Sequence, residues 1–134
     1  MLDVSETMRV VLLVLILATL VGCFAPAATP TITLRGVAVA GPVCPVVTQP
    51  PDPDCEDRPV AGAEIVVRNA AGESVARVRT AEDGTFSVPV GAGRYELLPQ
   101  PVEGLLGTPE PVEVVVVEGV DPEPVAIAYD TGIR

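Results

Sequence analysis

Apolar and polar positions alternate with a period of two through most of the chain from Ile32 onward, and turn-forming residues interrupt the alternation at intervals. A period of two marks a strand with one buried face, because successive side chains point to opposite sides of the pleat. The pattern predicts strands over Thr33–Ala40, Ala63–Arg68 and Val75–Thr80, then a strand carrying Phe86 and Val88 and another carrying Tyr95 and Leu97. Val112–Glu118 and Val125–Tyr129 complete the series. Seven short strands with no helical stretch predict an all-β fold, a seven-stranded antiparallel Greek-key sandwich.

The turns between these strands have their own chemistry. Asn69-Ala70-Ala71-Gly72 predicts a type I hairpin turn with Gly72 as its left-handed residue, and Glu82-Asp83-Gly84 predicts a second tight turn. Gly36 reads as a β-bulge, because the apolar phase shifts from Leu34 to Val37 and Val39 across it. Val114 to Val117 is apolar on both faces and reads as a central strand or one covered by a loop; an exposed face awaiting a partner is the other reading. Phe86, Tyr95 and Tyr129 are the aromatics expected in a core made mostly of valine.

The start of the chain follows a different pattern. Val10 to Val21 is an apolar run broken only by Thr19, and it leads into Leu20-Val21-Gly22-Cys23. A short apolar segment followed by small residues reads as a secretory signal, and this tetrad resembles a bacterial lipobox, whose cysteine becomes the lipidated N-terminus. The run falls short of the roughly 20 residues a membrane-spanning helix needs. Asp3 and Glu6 sit where a positive segment is expected, and translation from Met8, with Arg9 next, would restore it. Residues 1–22 are therefore expected to be a cleaved signal peptide, residues 23–31 a Pro- and Ala-rich lipidated tether, and residues 32–134 the sandwich. Cys23 is expected to hold the protein to a membrane, outside the cytoplasm.

Three cysteines in an exported chain leave one unpaired, and lipidation of Cys23 leaves Cys44 and Cys55 to pair with each other. Closing a loop this short stabilises a fold by about 3 kcal/mol in the chain-entropy picture. The four prolines inside the loop reduce the freedom the unfolded chain has to lose. The net charge of −10, with no lysine or histidine, argues against nucleic acid as a partner, since phosphate neutralisation dominates that affinity.

Four segments together carry a family resemblance: Gly36-Val37-Ala38-Val39, Arg58 to Val67, Thr80-Ala81-Glu82-Asp83-Gly84-Thr85-Phe86, and Gly91-Ala92-Gly93-Arg94-Tyr95-Glu96-Leu97. In order and spacing they resemble carboxypeptidase regulatory-like domains, which are prealbumin-like sandwiches. The resemblance implies that fold and an accessory role, and it implies no reaction. The chain departs from the family by lengthening the first connection into the Cys44–Cys55 loop.

The missing residue types exclude several chemistries of similar folds. Hydroxyisourate hydrolysis of the transthyretin-like kind uses histidine, and the isopeptide cross-link of pilin-type B domains uses lysine; the chain has neither. A Ser–His or Cys–His nucleophile lacks its base, a zinc centre lacks its histidines, and no glycine-rich phosphate loop is present. Glu82 and Asp83 at a hairpin tip read as turn residues rather than an acid/base pair.

The expected function is thus a non-enzymatic, membrane-tethered extracytoplasmic module with a structural or protein-interaction role, without a cofactor. Its partners would be the membrane, through Cys23, and a protein of the cell envelope. The alternative is a small-ligand or calcium-binding module using Asp52, Asp54, Glu56 and Asp57 of the disulfide loop, an oxygen-rich cluster without EF-hand spacing. The other candidate partner surface is Gly104 to Glu110, where Leu105 and Leu106 either meet a partner or cap the end of the core.

Overall fold

The structure, a computed structural model, describes residues 3–9 and 29–134; the apolar run and Cys23 lie outside the described residues. Eight strands follow one another: β1 (Ile32–Gly41), β2 (Arg58–Pro59), β3 (Glu64–Asn69), β4 (Ser74–Arg79), β5 (Thr85–Val90), β6 (Gly93–Pro99), β7 (Val112–Val116) and β8 (Val125–Asp130). They form two four-stranded sheets. In one, β1 is the centre: β5 and the two-residue β2 lie end to end along one edge, and β8 runs along the other. The second sheet has the order β4-β3-β6-β7 and is antiparallel throughout.

The sandwich is the one the alternation predicts, with two refinements. The two-residue β2 brings the count to eight, and β8 runs parallel to β1 from Gly36↔Val125 to Gly41↔Asp130. All other pairings are antiparallel. Leu34, Ala38, Phe86, Val88, Ile127 and Tyr129 from the first sheet meet Ile65, Val67, Leu97 and Val116 from the second in a shared core. Valine and small residues supply most of its remaining volume.

Gly36 is not a bulge. β1 pairs with β5 in unbroken register from Ile32↔Val90 to Val37↔Thr85, so Leu34, Gly36, Ala38 and Ala40 all face inward while Val37 and Val39 face out, half-buried. The apolar phase misleads here because the inward position at 36 is filled by another residue's side chain. Phe86 is the cross-strand partner of Gly36. A Cβ at Gly36 would overlap the Phe86 ring and would stand 2.6 Å from the Val125 carbonyl oxygen.

The predicted turns form as expected. The Gly72 N–H donates to the Asn69 carbonyl at 3.0 Å with Gly72 at φ +80°, and the Asn69 side-chain oxygen accepts from the N–H groups of Ala71 and Glu73. The Gly84 N–H donates to the Ala81 carbonyl at 2.9 Å, and Asp83 Oδ1 accepts from the Thr85 N–H and hydroxyl. Those bonds, the hydroxyl's first, hold the Asp83 carboxyl below its ordinary pKa.

Thr80 is the one buried polar residue of the described chain, and its bonds explain its position. Its hydroxyl donates to the Val60 carbonyl at 2.5 Å and accepts from the Ala63 N–H at 2.9 Å. Its backbone pairs with Gly62 and Ala63. One side chain thereby closes the crossing from β2 in the first sheet to β3 in the second, and among the described residues no buried side-chain nitrogen or oxygen is left unpaired.

Gly36→Ala is expected to lower the unfolding free energy by about 1–3 kcal/mol, because neither the carbonyl nor the packed ring can yield cheaply. Denaturant titration of the variant measures it. Parental stability in that variant would show that the ring does not need the bare Cα.

Candidate functional site

The connection between β1 and β2 is a long hairpin loop, residues 42–57, and the disulfide braces its base. Val39↔Pro59 and Ala40↔Arg58 pair the flanking strands, and Cys44 and Cys55 lie symmetrically three residues beyond Gly41 and three before Arg58. The two sulfurs are bonded, with Cα atoms 5.3 Å apart. Below the bridge, Asp57 packs its carboxylate against the bare Cα of Gly41, where a side chain would collide with it. The β1–β2 pairing was not legible in the sequence, because two residues are too few to carry a period.

Beyond the bridge the loop stands in solvent. Val46 is 68% exposed and Val47 is 87% exposed, while both cysteines are half-buried. The far side is a single 3₁₀ turn, Pro53–Cys55, whose first N–H groups would lack partners; Asp52 Oδ1 caps it by accepting from the Asp54 N–H at 2.9 Å. Val46, Val47, Cys44, Pro51 and Asp52 line a groove of about 260 Å³ on this loop.

Asp52, Asp54, Glu56 and Asp57 are all exposed, and two of them have local work in the structure. Asp52 caps the turn and Asp57 packs on Gly41. Among the described residues, no group of three or more carboxylate or cysteine side chains comes together at a distance that would hold a metal ion. The cluster of the sequence is thus spread along the loop.

The two leucines of the second candidate surface part company. Leu105 packs against the core, as the capping reading expects, whereas Leu106 is 58% exposed. The Leu106 N–H donates to the Asp130 carbonyl at 2.7 Å, forming an isolated antiparallel bridge on the outer side of β8. Asp130 in turn pairs with Gly41 of β1. Leu106 and the root of the disulfide loop are therefore at one end of the sandwich, in line across β8.

The residues after β8 tie this end together, a role that no pattern in the sequence announces. The Thr131 N–H donates to the Gly41 carbonyl at 3.1 Å, and its hydroxyl donates to the Pro42 carbonyl at 2.5 Å. Arg134 pairs with the Asp130 carboxylate at 2.8 Å, and the Gly132 N–H donates to the same carboxylate at 2.7 Å. The guanidinium bond first, and then the Gly132 bond, draw the Asp130 pKa down from 3.8 to about 2.

No family model matches the chain, and no curated protein does. Solved structures do. The minor pilin GBS52 of Streptococcus agalactiae is similar over 76% of this chain and 45% of its own, at 15% identity and a TM-score of 0.57. The shaft pilin SpaA of Lactobacillus rhamnosus GG is similar over 75% of this chain and 49% of its own, at 8% identity and a TM-score of 0.54. The TIE protein of Bacillus anthracis is similar over 74% of this chain and 17% of its own, at 16% identity and a TM-score of 0.50. The chain spans less than half the length of each. At these identities the likeness is one of fold, a β-sandwich of the prealbumin-like class.

The depressed Asp130 pKa has a definite sign. A carboxyl whose folded pKa lies below its unfolded value stabilises the docked tail above the unfolded pKa, and that contribution fades as pH falls through the folded one. Its window is thus about pH 4 down to about 2. The carboxyl carbon shift of Asp130 should titrate near the low end of that window. In Arg134→Ala the midpoint should rise toward 3.8, and an unmoved midpoint would exclude the guanidinium as the cause.

Proposed function

We propose that this chain is a carboxypeptidase regulatory-like sandwich, exported and held to the outside of a membrane through lipid at Cys23, that presents its braced hairpin loop to a protein partner of the cell envelope. Its role in this reading is structural or adhesive rather than catalytic. The observation that carries it is the loop itself: a disulfide at the base, with Val46 and Val47 held in water just beyond it. Two adjacent exposed valines on a braced support have little side-chain freedom left to lose on docking, which is the economy of a preorganised contact. Asp52, Glu56 and Asp57 line the same groove as Val46 and Val47 and give it negative charge, which favours a partner whose apolar contact has a basic rim.

Two of the fold neighbours are pilins, one minor and one of the shaft, and the likeness adds weight to a structural role without naming a partner. The lipobox-like tetrad supplies the tether. The absence of histidine and lysine from the whole chain removes the bases and nucleophiles that prealbumin-like enzymes and cross-linking domains use. The four acidic residues of the loop do not converge among the described residues, so calcium is not part of the reading.

Two experiments divide the proposal. Mass spectrometry of the mature N-terminus should find a diacylglyceryl group on Cys23, and Cys23→Ala should leave the membrane fraction; an unmodified, uncleaved chain refutes the anchor. For the loop, cross-linking on intact cells should capture a protein with the parent chain and lose it with Val46→Ser/Val47→Ser. Equal capture by that variant rules out the tip as the contact.

A further inference from the structure

The four outer strands of the sandwich are protected very unequally. β4 carries Arg77 and Arg79, both bonded to Glu64, and a register shift that leaves Val75 outside the pairing. β5 contains Pro89, which has no N–H to offer, and β8 receives the Leu106 bridge on its outer side. These are the usual defences of a sheet edge. β7 is the least protected: among the described residues it pairs with β6 alone, Pro122–Ala126 faces it only across an open cleft, and its outward side chains are one charge, Glu113, and Val115, the latter 58% exposed. Val117 and Val120, immediately beyond it, are 52% and 58% exposed. The reading of Val114–Val117 as a central or covered strand is therefore corrected; the run is apolar on both faces because one face packs on the core and the other stands open at an edge.

We propose that β7 pairs antiparallel with β7 of a second copy of this chain, joining the two β4-β3-β6-β7 sheets into one of eight strands. The available strand is short and bounded at both ends. Pro111 precedes it, and the chain turns away after Val117, whose carbonyl accepts from the Val120 N–H at 3.2 Å. A two-fold axis through Val114 uses the five residues Val112–Val116 in full, and pairs Val112 with Val116, Glu113 with Val115, and Val114 with itself. Each face of one sheet then continues into the same face of the other, as a two-fold interface requires.

Charge selects this partner and this direction. In the antiparallel register each Glu113 lies opposite a valine, whereas parallel pairing would set Glu113 against Glu113, a destabilising arrangement. Arg94 of β6 is the register partner of Val115. In the joined sheet Glu113 of the second copy falls in the same row, two strands away, about 10 Å between backbones, where it stands between Val115 and the Glu96 that is its register partner on its own β6. A long arginine stem can lie along Val115 and bring its guanidinium toward that carboxylate. The edge is thus able to pair with itself with each glutamate set against a valine and one arginine facing the glutamates of the same row.

Sedimentation velocity of the purified full chain in detergent, across the micromolar to millimolar range, tests the pairing with two variants. Val115→Glu sets like charges opposite each other twice in the dimer and should weaken association about tenfold. Val115→Lys sets opposite charges there and should associate at least as tightly as the parent. The position is exposed, so both variants should keep the parental melting temperature, and the contrast between them separates the edge from any association through the apolar N-terminal run. A chain that stays monomeric throughout, a dimer indifferent to Val115→Glu, or equal losses in the two variants overturns the proposal.

Discussion

The packing of the Phe86 ring over the bare Cα of Gly36 is the contact on which the first sheet depends. At this one row three strands from distant parts of the chain meet: Gly36 of β1 pairs with Phe86 of β5 on one side and with Val125 of β8 on the other. A glycine in a strand interior weakens it, having backbone entropy to lose and no side chain to pack. Here the ring of the cross-strand neighbour supplies the missing apolar surface, and the Val125 carbonyl takes the remaining space. With only four aromatic residues in the chain, a ring placed centrally counts for more than it would in a richer core.

The parallel β1–β8 ladder has a consequence at the far end of the same strands. It carries Asp130 beside Gly41, so the residues after β8 leave the sheet next to the root of the disulfide loop. Thr131 then bonds both carbonyls at the Gly41–Pro42 junction, and the bridge between Leu106 and Asp130 fastens the other side. A sixteen-residue loop would ordinarily be the loosest part of such a domain. Here its base is held by a strand pair, a disulfide and the segment that follows the last strand, while the part beyond the bridge has none of these supports among the described residues. That gradient, firm at the root and open at the valines, suits a contact surface carried on a rigid frame.

The two surfaces that point outward have different chemistry. The loop offers an apolar pair in a groove lined by carboxylates, whereas the β7 edge is, among the described residues, a row of unpaired backbone groups with valine and a single glutamate beside them. Backbone pairing is indifferent to side-chain identity and demands a strand; a loop tip demands a notch of matching shape. The two can therefore be occupied together, and neither depends on a reactive group.

The alternation of apolar and polar residues by itself determined where the strands lie, which way Ile65, Val67, Phe86, Val88 and Leu97 point, and where Gly72 and Gly84 turn the chain. These are local properties, written in the period of the pleat and the φ preference of glycine. The cysteine count likewise paired Cys44 with Cys55. Only the tertiary structure decided which strands lie side by side, and every misreading follows from that. Gly36 imitated a bulge because the group filling its place comes from β5. Val114–Val117 imitated a central strand because burial on one face and vacancy on the other look alike in a run of valines. Leu105 and Leu106 were indistinguishable until the Asp130 bridge turned one inward and the other out. A strand's sequence records its two faces, but its two edges are backbone, identical at every residue, and lateral neighbours are assigned by how the whole chain closes.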